Sequence, residues 1–171
     1  MAVIIDGSNG LSLPVPLSRP NGGTGSAASP VPAFSANASG TTTVPNNTIT
    51  KIAYATKEFD TTGAFDNITN YRFQPQVAGY YLISAVFSWN AVSANATTVS
   101  RVYLYKNGAS VRNIDILSSV NIIVMPTISE IIYLNGSTDY VEAMAYQNSG
   151  ATQTVGATTL NRFQGLLIQQ A

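Results

Sequence analysis

The chain has no cysteine and no histidine among its 171 residues. That removes a disulfide framework, Ser-His-Asp and Cys-His nucleophiles, and the ordinary zinc sites. Charge is nearly as scarce. Eight Lys and Arg balance eight Asp and Glu, together 9% of residues, where about 25% is usual. A neutral chain lacks the basic footprint of a nucleic-acid binder, so no nucleic-acid partner is expected. The scattered acids specify no carboxylate pair of the kind that glycoside hydrolysis needs, and the expectation is that the protein is not an enzyme. No apolar run approaches the ~18 residues of a membrane helix. The N-terminus meets Asp6 too early for a secretory signal, so synthesis in a cytoplasm and no membrane span are expected.

What the chain does have is apolar residues, 45% of the total. With so few charges to keep it soluble, part of its surface is expected to be covered by partner chains. The sequence divides near residue 31. Residues 7–30 are dominated by Gly, Ser, Pro, Asn and Thr, and Pro14, Pro16, Pro20 and Pro30 interrupt any regular element. Such a segment cannot bury enough apolar area to fold alone. Residues 1–30 therefore read as an extended docking arm, with Val3, Ile4, Ile5, Leu11, Leu13, Val15 and Leu17 spaced along it as candidate contacts. Residues 31–171 read as a head.

In the head the signals are β. A first strand is expected over residues 31–36, then a polar loop over 37–47 and a mixed strand over 49–59. Residues 80–89 form the strongest core candidate. Tyr81, Ile83, Ala85 and Phe87 share one face, while Tyr80, Leu82 and Val86 share the other with Ser84. Both faces are largely apolar, which predicts an inner strand covered on both sides. Asn107-Gly108 predicts a hairpin between residues 101–106 and 109–114. Asn135-Gly136 predicts a second hairpin, with a wider loop, between 128–134 and 140–146. Pro126 should mark a strand start or an edge. No window sustains a helical period, so little helix is expected. Nine or ten short strands read as a sandwich or barrel, and pattern alone leaves immunoglobulin, jelly-roll and lipocalin-like layouts open.

Four cues narrow that choice: Pro32-Ala33-Phe34-Ser35-Ala36, the run Phe59-Asp60-Thr61-Thr62-Gly63-Ala64-Phe65-Asp66, a Phe-x5-Gly-x-Tyr motif formed by Phe73, Gly79 and Tyr81, and Phe163-Gln164-Gly165-Leu166-Leu167-Ile168. In this order they resemble the globular head of complement component 1q and its tumour-necrosis-factor-like relatives. Ile83 and Ala85 depart from the aromatic residues that many members carry, and the loop between Asp66 and Phe73 is short. The resemblance implies an all-β, ten-stranded jelly-roll sandwich that assembles as a homotrimer and binds rather than transforms its ligand. Aromatic side chains would line the three-fold axis, with Tyr81, Tyr103, Tyr105, Tyr133, Tyr140 and Tyr146 as the candidates.

The arm carries a second resemblance. Pro20-Asn21-Gly22-Gly23-Thr24-Gly25 is similar to the Gly-Gly-Thr-Gly segment of bacteriophage tail-fibre proteins, and Ile5-Asp6-Gly7-Ser8-Asn9-Gly10 to short phage docking sequences. Together these imply a virion structural protein. The first reading is a tail-fibre or tail-tip head that attaches through its arm to another virion protein and binds a host-surface glycan or protein. A capsid decoration or head fibre is the alternative, followed by a bacterial complement 1q-like lectin. Loops at 91–98 and 147–159 are rich in small polar residues suited to recognition, and Trp89 and Asn95 are candidate receptor contacts. Some family members hold Ca2+ on loop carboxylates. Asp60, Asp66, Asp115, Asp139 and Glu142 fall at turns and strand ends, but no segment has the dense acids of a calcium loop, so no cofactor is expected.

Overall fold

The computed structural model describes residues 30–89, 98–118 and 123–171, together with the backbone of 4–6 and 10–12. The chain divides into two compact units, Met1–Pro30 and Val31–Ala171. In the first, β1 (Ile4–Asp6) pairs antiparallel with β2 (Gly10–Ser12), Ile5 opposite Leu11. Two short strands within the expected arm therefore pair with each other.

The second unit is all-β, and no helix occurs among the described residues. Its strands are β3 (Ala33–Ala38), β4 (Thr42–Val44), β5 (Thr50–Lys51), β6 (Thr56–Asp60), β7 (Phe65–Asp66), β8 (Arg72–Phe73), β9 (Ala78–Val86), β10 (Thr98–Lys106), β11 (Ala109–Ser118), β12 (Thr127–Asn135), β13 (Val141–Gln147), β14 (Gln153–Val155) and β15 (Thr158–Gln170). Three of these, β5, β7 and β8, are two-residue pieces, and the other ten run for three residues or more. One sheet runs β12-β9-β15-β3-β6, and the other runs β11-β10-β13-β8-β7 with β5 also on β13. A small β14-β4 sheet completes the unit.

The core is aromatic, because alternate residues of both sheets point inward and many are Phe or Tyr. Phe34 stacks on Phe65 at 4.7 Å and on Phe73 at 4.4 Å, and Phe163 meets it edge-on at 5.0 Å. Each is buried, which contributes on the order of 2–3 kcal/mol per side chain. Gly165 sits beside this cluster because a Cβ there would lie 2.6 Å from Ile83 and 2.9 Å from Phe34.

The two Asn-Gly signals have different outcomes. Asn107 (φ 53°) and Gly108 (φ 78°) form the expected tight turn, with Lys106 opposite Ala109. Asn135-Gly136 does not close a hairpin: β12 pairs with β9 and β13 with β10, in different sheets. The Asn135 side-chain oxygen accepts from the backbone N–H of Ser137, Thr138 and Asp139. The Asp139 carboxylate in turn accepts from the Asn135 N–H. These bonds fold a corner, and Gly136 (φ 70°) packs so tightly there that a Cβ would meet the Ala78 nitrogen at 2.3 Å. The same dipeptide that favours a hairpin turn therefore serves a crossing between sheets when Asx bonds capture the chain.

Other boundaries move for local reasons. The first strand begins after Pro32 and continues through Asn37 and Ala38, and β4 falls within the expected 37–47 loop. The 49–59 segment splits into β5 and β6, yet Ile52 and Tyr54 between them are fully buried. Pro126 directly precedes β12, an edge strand.

Candidate functional site

The central strand β9 has two unlike faces. Tyr81, Ile83 and Ala85 are buried in the sandwich. Tyr80 is 48% exposed, and Leu82, Ser84 and Val86 are half-buried on the outer side. The register builds outward rows from this strand. Tyr133 lies opposite Tyr80, with rings 5.5 Å apart, and Ile131 and Leu166 flank Leu82. Ile131 and Ile168 are more than half exposed, and Leu166 nearly so. One end of this sheet face is therefore apolar.

The other end is polar. Ser84 and Ser129 share a hydrogen bond of 2.7 Å. Arg162 lies opposite Val86 and Asn37. Glu58 accepts from the Ser35 hydroxyl (2.7 Å), the Asn37 amide (3.4 Å) and Arg162 Nη2 (3.1 Å). The Ser35 bond leads in holding the Glu58 carboxyl below its ordinary range. Two shallow grooves cross this face, one beside Leu160 and Arg162 and one beside Phe59 and Leu166.

The six candidate tyrosines do not meet on one face. Tyr81 is fully buried and its hydroxyl donates to the Val77 carbonyl at 2.7 Å, so burial pushes the phenol up to about 12. It belongs to the core of a single chain, which removes it from the interface set. Tyr133 alone lies on the apolar face. Tyr103, Tyr105 and Tyr146 stand on the outer side of the other sheet, where Arg101 lies over Tyr103 and Tyr146 at 5.5 and 5.4 Å. Tyr140, just before β13, holds the Arg72 guanidinium 4.3 Å from its ring centre. Tyr80, Leu82, Ile131, Leu166 and Ile168 are what the tyrosine criterion missed. The period-two alternation of β9 signals Tyr80 and Leu82, whereas Ile131, Leu166 and Ile168 join them only through the pairing of β12 and β15 with β9.

Trp89 is also internal. It is 1% exposed, packs on Phe87 at 5.0 Å, and its indole N–H donates to the Ser100 hydroxyl. It closes one end of the core and is not a receptor contact. Asn95 lies outside the described residues, as do Val3, Leu13, Val15 and Leu17. Ile4, Ile5 and Leu11 fall in β1 and β2. The polar segment 147–159 spends much of its chemistry inward. Gln147, fully buried, donates to the Val44 and Ala151 carbonyls and accepts from the Ser149 N–H. Asn161, also buried, binds Ser88 and the Gly156 carbonyl.

The described acids are committed to other groups. Asp60 caps the N–H groups of Ala64 and Phe65, Asp115 chelates Arg101, Asp139 pairs with Lys106, and Glu142 pairs with Lys51. No three acids gather into a metal-sized cluster among the described residues. A calcium ion, which takes six to eight oxygens, would have to displace these partners.

A polar groove of about 390 Å3 lies on residues 62–76. Its wall is built by Asp66, whose carboxylate accepts from the N–H groups of Ile68, Thr69 and Asn70 and from the Asn70 amide. The Thr69 bond leads in lowering this acid from 3.8 to about 2. Next to it Tyr71 takes a φ of 48°, a left-handed conformation that costs a side-chain-bearing residue about 1–2 kcal/mol. Lys51 donates to the Asn70 carbonyl at 3.2 Å and helps hold the loop. Arg72 lies opposite Asp66 and donates to Gln74, and Gln74 donates to the Ser137 carbonyl.

No family model matches the chain, and no curated protein sequence is similar to it. Solved structures do share its shape, and they define the class: the head is a jelly roll of the complement 1q and tumour-necrosis-factor type. The globular domain of zebrafish complement 1qA protein aligns at 15% identity and a TM-score of 0.54, covering 82% of this chain and 99% of that one. The Eiger tumour necrosis factor of S. frugiperda aligns at 9% identity and a TM-score of 0.61, over 83% and 95%. Murine APRIL at pH 5.0 aligns at 10% identity and a TM-score of 0.56, over 80% and 98%. At these identities the likeness is one of fold.

Proposed function

We propose that this chain is a homotrimeric binding head of a bacteriophage virion, a tail-fibre or tail-tip module. Residues 1–30 attach it to another virion protein, and residues 31–171 are presented to the host surface. The observation that carries the assembly is the outer face of the β12-β9-β15 sheet. It is formed by Tyr80, Ile131, Tyr133, Leu166 and Ile168, all 42% or more exposed in a single chain. Contiguous apolar surface of this kind marks an interaction site.

The β12-β9-β15 face is the contiguous apolar surface proposed for self-association. The exposed apolar residues of β11 do not gather in the same way: Ile114, opposite Val102, and Leu117, opposite Val99, are 42% and 67% exposed and lie on opposite faces of the strand. In a three-fold ring the copies meet through head-to-tail contacts, which close into a cyclic oligomer. The polar cluster around Glu58 and Arg162 would then fix the register of the copies. Binding through three copies gains strength by avidity, and nothing in the site calls for chemistry on the ligand. The viral assignment rests on the Gly22-Gly23-Thr24-Gly25 leader.

Light scattering tests the assembly. A trimer of this 18.0 kDa chain has a mass of about 54 kDa, and a measured mass near 18 kDa refutes it. Deleting residues 1–25 tests the arm: the variant should keep the trimer mass and fail to enter particles. Incorporation of the truncated chain would remove the docking role. Gold labelling on particles separates a tail position from a capsid one.

A further inference from the structure

The groove on residues 62–76 shares no lining residue with the apolar sheet face, so it is distinct from the surface proposed for self-association. We infer that this groove is a binding site for a neutral, hydroxyl-rich sugar. The inference rests on the reading of the head as a binding module and gives that module a ligand class.

The donor is already oriented. Arg72 is clamped between the Tyr140 ring at 4.3 Å and the Gln74 side-chain oxygen at 3.1 Å. Gln74 is itself held by its 2.9 Å bond to the Ser137 carbonyl. A guanidinium fixed by one nitrogen still offers N–H groups to a ligand, and its ordering cost is met before binding. Acceptors stand beside it. Gln76 and Thr62 line the same groove. The Gln76 amide nitrogen donates back to the Gln74 carbonyl at 3.4 Å, so its side-chain oxygen is the acceptor left for a ligand, and the Thr62 hydroxyl can both donate and accept. A sugar hydroxyl both donates and accepts, so mixed walls of this kind match it.

Charge selects the class. Asp66 lies opposite Arg72 across the β7–β8 pair and stays ionised, so it cancels the guanidinium charge. A phosphate, sulfate or uronate would meet that carboxylate and gain little. Asp66 already accepts four hydrogen bonds from its own loop, which fills its capacity. Recognition therefore falls to Arg72, Gln76 and Thr62. The groove volume of about 390 Å3 lies within the usual range of small-molecule sites.

The test is saturation-transfer NMR on the full chain, with glucose, galactose and N-acetylglucosamine as neutral probes and glucuronic acid and inorganic phosphate as charged ones, all at millimolar concentration. At least one neutral sugar should receive saturation. Arg72→Met should weaken it by about tenfold and Gln76→Ala by about two- to tenfold, the losses expected for a charge-assisted and for a neutral hydrogen bond. Gln76 is exposed, so its variant folds even if the Arg72 change does not. No transfer to any neutral sugar overturns the inference. So does tighter binding of glucuronate or phosphate, or binding unchanged in both variants. Mass is read on the same samples: a trimer without sugar binding sinks this site alone, whereas an 18.0 kDa species sinks the assembly.

Discussion

Arg112 on β11 and Glu130 on β12 bond to each other across the open side of the sandwich, guanidinium Nε to carboxylate Oε2. Arg112 lies opposite Leu104 and Glu130 opposite Ile83, both fully buried, so each charge occupies an inward-facing position on an edge strand. Inward charges on edges oppose strand addition by another chain. The side chains remain 56% and 29% exposed, so the pair should contribute at most about 1 kcal/mol to stability. A double-mutant cycle on Arg112→Ala and Glu130→Ala, read by urea unfolding, should give a coupling no larger than that. Arg112→Val combined with Glu130→Val should fold but cloud on standing. A clear solution would show that the pair does not guard the edge.

The apolar face yields the sharpest prediction about assembly. Ile131 and Leu166 flank Leu82 in one cross-strand row and are 58% and 46% exposed. Ile131→Asp with Leu166→Asp should shift the mass to that of one chain while leaving the far-UV spectrum unchanged. The control is Tyr105→Asp on the outer side of the other sheet, which should keep the assembled mass. If the control dissociates and the face variant does not, the interface lies on the wrong sheet.

These residues show how far the sequence was legible. The period-two pattern of residues 80–87 gave both faces of β9, and its outer apolar face points to a partner that a single chain lacks. Ranking tyrosines by kind rather than by register mixed Tyr81, which is core, with Tyr103 and Tyr105, which lie on the opposite sheet. Asn107-Gly108 was readable because a tight turn is local. Asn135-Gly136 was not, because whether β12 pairs with β13 depends on β9 and β10, which lie far away in sequence. The groove was invisible for the same reason. Nothing local to Arg72 announces that the ring of Tyr140, 68 positions on, will lie against its guanidinium.

The corner at Gly136 can be probed directly. Its φ of 70° and the 2.3 Å approach of the Ala78 nitrogen leave no room for a side chain. Gly136→Ala should destabilise the head by more than the ~1 kcal/mol expected for a positive φ alone, because the backbone clash must also be relieved. Gly63 is the matched control, at a φ of 68° with open space around it. Gly63→Ala carries the strain without the clash. Equal losses in urea midpoint for the two variants would show that packing at Gly136 adds nothing.

Acid sensitivity follows from the carboxylates that cap loops. Asp66 falls from 3.8 to about 2 through its bonds to the Thr69, Ile68 and Asn70 N–H groups. Asp115 and Asp139 are lowered as well, chiefly by hydrogen bonds from Arg101 and Lys106. A folded-state value below the unfolded one means the native state binds fewer protons through this range. The stabilisation is therefore complete above about pH 4 and is lost as pH falls toward about 2. The urea midpoint, measured at one protein concentration so that the proposed assembly does not shift it, should hold steady from neutral pH down to about 4 and drop below it. Asp66→Asn should start lower at neutral pH, because an amide cannot accept all four bonds, and should lose less on acidification. Parallel curves for the two proteins would show that the 66–71 loop opens before the head unfolds, leaving the acid response to Asp115 and Asp139.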